Sequence, residues 1–302
     1  MIISRIIGGL GNQLFQYAVA RQLAIKHNTE LKLDVSGFST YKLHDYSLHN
    51  FNIVESFASK EEIARLAPSQ SMVEVLYRRV LQKKRKYNKT HIVETDSFYF
   101  NPDILDLPDN VYIDGYWLSE KYFSDIKNII HDEFTIKSPL KNVNKYLAAI
   151  IDSCDSVSVH IRRGDYVSDN KTNKLRGVCR IDYYRECLSN LRLTVKEPQL
   201  FIFSDEPEWV KANFELPYPS TIVDCNDAIN NYKDIRLMSL CKYNIIANST
   251  FSWWGAWLNQ NPNKIVYAPK QWYEGLDHDR KDLIPKDWIR MDGQKSEDNE
   301  QY

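Results

Sequence analysis

The sequence has no apolar run approaching the length of a membrane-spanning helix, and no C-x-x-C pair. The first absence argues against an integral helical membrane protein. The second concerns five cysteines, Cys154, Cys179, Cys187, Cys225 and Cys241, which are odd in number and scattered. That pattern argues against a disulfide scaffold or a zinc site and predicts reduced, buried thiols. An excess of charge is missing too: 39 Lys and Arg face 40 Asp and Glu, for a net charge of −1. Nucleic acid is therefore not expected as a partner. Met1 to Gly8 is too short for the apolar segment of a secretion signal and runs into a glycine-rich loop. A cytoplasmic location is expected, and the sequons at Asn88 and Asn248 then carry no glycosylation meaning. The one D-x-D, Asp277-His278-Asp279, has no strand to place it and reads as a solvated turn, so no metal is expected.

What is present is an alternation of strands and helices over 302 residues, enough for two α/β domains. Ile2 to Ile7 reads as a strand, Gly8 to Asn12 as a tight loop and Gln13 to His27 as a helix. A strand at Leu31 to Val35, helices at Glu61 to Ala67 and Val73 to Leu81, a strand at Asn110 to Gly115 and a helix at Glu120 to Ile130 follow. The second half repeats the pattern. Tyr146 to Ile151 is helical, Ser156 to Ile161 a strand, Ile181 to Leu191 a helix and Leu200 to Phe203 a strand. Asp227 to Cys241 is a helix, Tyr243 to Ala247 a strand, Phe251 to Asn259 a Trp-rich helix and Lys264 to Ala268 a last strand. The expected class is α/β, with two Rossmann-type domains of parallel sheet facing across a cleft. Their spans are 1–140 and 141–290, and the polar segment 291–302 reads as a disordered tail.

Four constellations carry chemistry. On the strand Ser156 to Ile161, Val157, Val159 and Ile161 share one face, and Ser158, His160 and Arg162 the other. Arg162 and Arg163 fall at its carboxyl end, where open α/β sheets bind ligands. Two permanent, fork-shaped donors there suit a pyrophosphate, unless a carboxylate such as Asp165 neutralises them. Asn248-Ser249-Thr250-Phe251-Ser252 links a strand to a helix. Its hydroxyls either cap the helix or meet a phosphate at the positive helix end. In that helix Trp253 and Trp257 stand four apart, a spacing that favours core packing. Ser204-Asp205-Glu206 closes another strand and suits a guanine edge or a ribose, or simply opens the next helix. Gly8-Gly9-Leu10-Gly11-Asn12, with Asp34 about 20 residues on, imitates a dinucleotide fingerprint, but Leu14 fills the third glycine position. Its other reading is a turn presenting Asn12. An NAD(P)-dependent oxidoreductase and a non-catalytic sugar-binding module are the alternatives this leaves. The second has no need of two arginines beside a histidine.

At these residues the sequence resembles glycosyltransferase family 11, the α-1,2-fucosyltransferases, over nearly its whole length. The resemblance rests on Gly8 to Ala18, Gly115 to Phe123, His160 to Tyr166, Phe203 to Pro207 and Asn248 to Trp257, five motifs in the family's order. It implies a GT-B-like fold and inverting, metal-independent transfer from GDP-β-L-fucose to the 2-hydroxyl of a terminal galactoside. By resemblance, Arg162 holds the β-phosphate, Arg163 supports it and His160 lies near the nucleotide. Ser204, Asp205 and Glu206, with Asn248 to Ser252, line the guanosine and phosphate site, and Asn12 faces the sugar or the acceptor. Leu118 departs from the family's frequent Gln. Animal members carry an amino-terminal membrane anchor, and this chain resembles the bacterial, cytosolic type. Inversion calls for a base at the acceptor hydroxyl. Asp165, Asp169 and Asp34 are open candidates, and Asp165 is equally suited to pair with Arg162 or Arg163. The basic segment Arg78 to Lys89 reads as a solvated helix face or as a contact to anionic membrane.

Overall fold

The computed structural model describes residues 1–68, 89–95, 99–164, 177–214, 217–273 and 282–292. The chain divides into two compact units, Met1–Thr135 and Ile136–Tyr302, each built on a parallel sheet in the expected α/β class. The helix expected at Val73 to Leu81, the basic segment up to Asn88, Asp165, Asp169, Asp277 to Asp279 and 293–302 lie outside the described residues. No helix among the described residues is long and apolar enough to cross a membrane.

In the first unit β1 (Ile2–Arg5) leads through a glycine turn into α1 (Leu10–Lys26), followed by β2 (Leu31–Asp34) and α2 (Lys60–Leu66). Then come β3 (His91–Val93), β4 (Val111–Asp114) and α3 (Lys127–Glu133), and the sheet runs β2-β1-β4-β3. α1 is buried on nearly every side, from Leu14 and Phe15 to Tyr17, Ala18 and Leu23. This is why its apolar residues follow helical spacing only loosely. The helix expected over Glu120 to Ile130 is instead two 3₁₀ turns, Glu120–Tyr122 and Ser124–Ile126, ahead of α3. Phe123, fully buried at φ −140°, draws the backbone out of helical geometry between them.

The second unit begins with α4 (Asn142–Ser153), β5 (Ser156–Ile161), α5 (Ile181–Leu191), β6 (Gln199–Ser204) and α6 (Pro207–Asn213). It continues with β7 (Ser220–Val223), α7 (Tyr232–Leu240), β8 (Tyr243–Ile245), α8 (Thr250–Trp257), β9 (Val266–Pro269) and β10 (Ile289–Met291). The sheet order is β10-β9-β8-β5-β6-β7, parallel throughout. From β5 the chain builds outward through β6 and β7, then returns to β5's other side for β8. The order therefore reverses between β5 and β8, and a crevice outside the carboxyl ends is expected at such a switch point. Both faces of β5 are covered. Val157, Val159 and Ile161 pack with Tyr183, Tyr184 and Leu188 of α5, while Phe201, Phe203, Leu237 and Met238 form the core of the other face.

A polar network ties α4 to α7. Asn144 and Asn226 exchange side-chain hydrogen bonds of 2.8 and 2.9 Å, and Asn226 donates to Asp234 at 2.6 Å. Burial pushes the Asp234 carboxyl up from 3.8 to about 7. Between those values the folded chain keeps a proton that the unfolded chain has released, so stability falls as pH rises from 3.8 through about 7. Asp234→Asn stays neutral and still accepts from Asn226. Its melting temperature should exceed that of wild type at about pH 8.5 and converge with it near pH 4; a wild-type advantage at the higher pH would contradict this.

Candidate active site

Two strand ends of the second unit, those of β5 and β6, meet in one charged cluster. β5 is fully buried to Ile161, and the chain then emerges at Arg162 and Arg163. Arg162 Nη1 meets Asp205 Oδ2 at 2.8 Å, with both side chains 23% exposed. Asp205 Oδ1 accepts the Arg163 main-chain N–H at 3.0 Å. Arg163 Nε donates to Glu206 at 3.1 Å, and its guanidinium lies flat on Trp209, 3.4 Å from the ring centroid. Ser204 Oγ accepts the Glu206 N–H at 3.1 Å, bending the chain between β6 and α6. The two arginines thus differ in setting. Arg163 is engaged by the Glu206 carboxylate and the Trp209 indole, whereas Arg162 pairs with Asp205.

His160 lies inside the strand, 5% exposed. Its Nδ1 is 2.8 Å from Ser252 Oγ, its carbonyl accepts from the Tyr184 hydroxyl at 2.9 Å, and Phe251 packs on its ring at 5.7 Å. Burial, aided by the Arg162 charge, pushes its pKa down to about 3. At neutral pH it is an uncharged brace between β5 and α8. Ser252 Oγ donates to the Ser249 carbonyl at 3.3 Å, which fits His160 as the Nδ1–H tautomer.

The segment after β8 forms the start of α8. Ser249 is its N-cap, accepting the Phe251 N–H at 3.4 Å. Asn248 is buried and donates to the carbonyls of Gly177 and Trp272 at 3.3 and 3.2 Å, fixing the turn. Thr250 and Phe251 are half-buried. Trp253, Trp254 and Trp257 are core residues, and the Trp253 indole N–H reaches the Leu283 carbonyl at 2.8 Å.

In the first unit the glycine turn is set by its neighbours. Gly8 has φ +87°, a conformation that favours glycine. Buried Gln13 donates to the Gly8 and Asp45 carbonyls, both at 2.8 Å, and accepts the Ser47 N–H at 2.9 Å. Gln16 accepts the Ile7 N–H at 3.0 Å. Asn12, half-buried, stands in the first turn of α1. Leu118 is buried. Asp34 points inward: Ser36 N–H and Tyr112 hydroxyl donate to its two oxygens at 2.9 and 2.7 Å. A dinucleotide site needs that carboxylate on a ribose, so the oxidoreductase alternative loses its acid.

Sequence reasoning missed Gly164 and Trp209. A side chain added at Gly164 would stand 2.3 Å from Asp205 Oδ2. The His-x-Arg-Arg-Gly string carried that signal, since a glycine directly after paired arginines marks a close approach. Trp209 offered only a Trp two residues after a proline. Among the described residues no three His, Cys, Asp or Glu side chains group as metal ligands.

Comparison with known proteins matches this chain to a family model and to whole relatives. It is 34% identical to an alpha-1,2-colitosyltransferase of Escherichia coli, over 97% of this chain and 99% of that protein. It is 30% identical to the O-antigen biosynthesis glycosyltransferase WbnK of Escherichia coli, over 95% of this chain and 99% of that protein. Among solved structures, NodZ alpha-1,6-fucosyltransferase soaked with GDP-fucose is distant, at 14% identity and a TM-score of 0.47 over 85% of this chain and 91% of that one. The model of glycosyl transferase family 11 matches residues 1–292, which take in the glycine turn, the paired arginines and the start of α8 alike, and the chain belongs to that family.

Proposed function

We propose that the protein transfers L-fucose from GDP-β-L-fucose to the 2-hydroxyl of a terminal galactoside, with inversion at the anomeric carbon and without a divalent metal. The observation that carries the reading is Arg162, held at the carboxyl end of the central strand beside the sheet's switch point. Departure of GDP builds charge on a β-phosphate oxygen while the sugar gains oxocarbenium character. A permanent cation fixed at that oxygen stabilises the transition state more than the ground state. The start of α8, capped by Ser249 next to Thr250, adds the positive end of a helix. Arg163 and His160 support from behind, one pinned by Glu206 and Trp209, the other neutral against Ser252.

Of the three carboxylates open as base, Asp34 is buried and doubly hydrogen-bonded, so we assign the role to Asp165 or Asp169. Asn12 is assigned to the transferred sugar or the acceptor. The acceptor is an oligosaccharide or a lipid-linked glycan, met in the cytoplasm.

A second donor has its own support. The relative at 34% identity is a colitosyltransferase, and colitose is L-fucose without the 3-hydroxyl. A site that hydrogen-bonds that hydroxyl rejects the sugar lacking it far more strongly than a merely apolar site would. Incubation with each GDP-sugar and a β-galactoside, with NMR of the product, tests both. The expected product from GDP-fucose is an α-linked fucose on O2 of galactose. A β-linkage, substitution at another hydroxyl, or transfer from GDP-colitose alone would each overturn the corresponding part.

A further inference from the structure

Asp205 and Glu206 read from the sequence as contacts to guanine or ribose. The geometry points to a different role for Asp205, and we infer that it is a positioning residue that acts on the reaction through Arg162. The inference rests on the donor reading above and deepens it.

Each oxygen of Asp205 has a distinct partner on the chain leaving β5. Oδ2 meets Arg162 Nη1 at 2.8 Å, and Oδ1 accepts the Arg163 N–H at 3.0 Å. One carboxylate therefore fixes both a guanidinium head and the main chain that carries it. Ordering a long side chain at a strand end costs entropy, and a carboxylate that engages it before the ligand arrives lowers the part of that cost left to the transition state.

Gly164 is part of the same arrangement. A methyl group there would lie 2.3 Å from Asp205 Oδ2, and that oxygen is the one on Arg162. The carboxylate sits at the end of a short side chain, so it would move aside and lose its contact with Arg162. The glycine following the two arginines is thus explained by room for a counter-ion. With both oxygens turned to this segment, Asp205 has little reason to be read as the group that selects the base. The β6 end holds its neighbour likewise, since Glu206 fixes Arg163 against Trp209.

The test is a double-mutant cycle on steady-state turnover, with GDP and ADP as competing ligands. Asp205→Ala should lower kcat at saturating donor at least tenfold while changing the donor KM less than threefold. Asp205→Asn keeps an acceptor for the Arg163 N–H and should lose less. Gly164→Ala, checked for an unchanged melting profile, should reproduce the Asp205→Ala loss without removing a charge. In an Arg162→Ala background, Asp205→Ala should cost almost nothing further, because residues acting as one unit do not add. The preference for GDP over ADP should be unchanged in every variant. Losses that multiply, or a Asp205→Ala protein that no longer prefers GDP, would overturn the inference and return Asp205 to the base. A wild type with no affinity for GDP would overturn the donor reading itself, a result the cycle separates from the first.

Discussion

Arg162→Ala will lower turnover of the donor by about 10²–10³, the usual cost of removing one preorganised group at a developing anion, about 3–4 kcal/mol. The loss should fall on kcat as well as on kcat/KM, because the charge it answers grows only as the sugar departs. Arg162→Lys should recover part of the rate, since an ammonium supplies charge without the planar fork. Arg163→Ala gives the contrast. Its guanidinium is committed to Glu206 and Trp209, so its removal should loosen the β6 end and cost less in kcat. Steady-state kinetics on the variants would decide the matter. An Arg162→Ala enzyme with wild-type kcat would place the phosphate site elsewhere in the sheet.

Trp253→Ala will destabilise the second unit by about 3–5 kcal/mol, the range for deleting a fully buried large aromatic side chain. Trp253 is fully buried and stacks on Trp257 at 6.1 Å and 12°. It meets Trp254 edge-on at 5.0 Å and Trp288 at 5.5 Å, and its indole N–H is satisfied by the Leu283 carbonyl. Removal leaves a cavity and an unpaired buried carbonyl together. Set against a total stability of roughly 5–15 kcal/mol, the melting temperature should drop by about 10 °C or more. Nucleotide binding should weaken with it, because Ser249 and Ser252 belong to the same helix start. Trp253→Phe, which keeps a ring but no N–H, should lose less. A Trp253→Ala protein melting with wild type would show that the Trp cluster is not the core of this unit.

The strands of the two sheet centres were legible because buried parallel strands are short apolar runs, as in Val157 to Ile161 and Leu200 to Phe203. β3, β7 and β10 were not. They are edge strands of three or four mostly half-buried residues, too short for a period to show. Helix α1 was placed but its start missed by three residues, since Gly9 caps it from the backbone with no Ser or Asp to signal the position. At the site, the sequence located the paired arginines and the Ser204–Glu206 turn on separate strand ends. It offered a salt bridge as one alternative without naming Asp205 as the partner, because pairing across parallel strands depends on register. The state of His160 was equally hidden. A histidine on a strand face carries no mark of whether Ser252 and Phe251 will close over it.

The central claim is that positioned cations of the protein itself meet the charge on a departing GDP. Acceptor-dependent release of GDP from GDP-fucose, with a β-galactoside present and excess EDTA added, tests it most directly. Undiminished release in EDTA is the result predicted; release that stops in EDTA and returns with a divalent metal would contradict it.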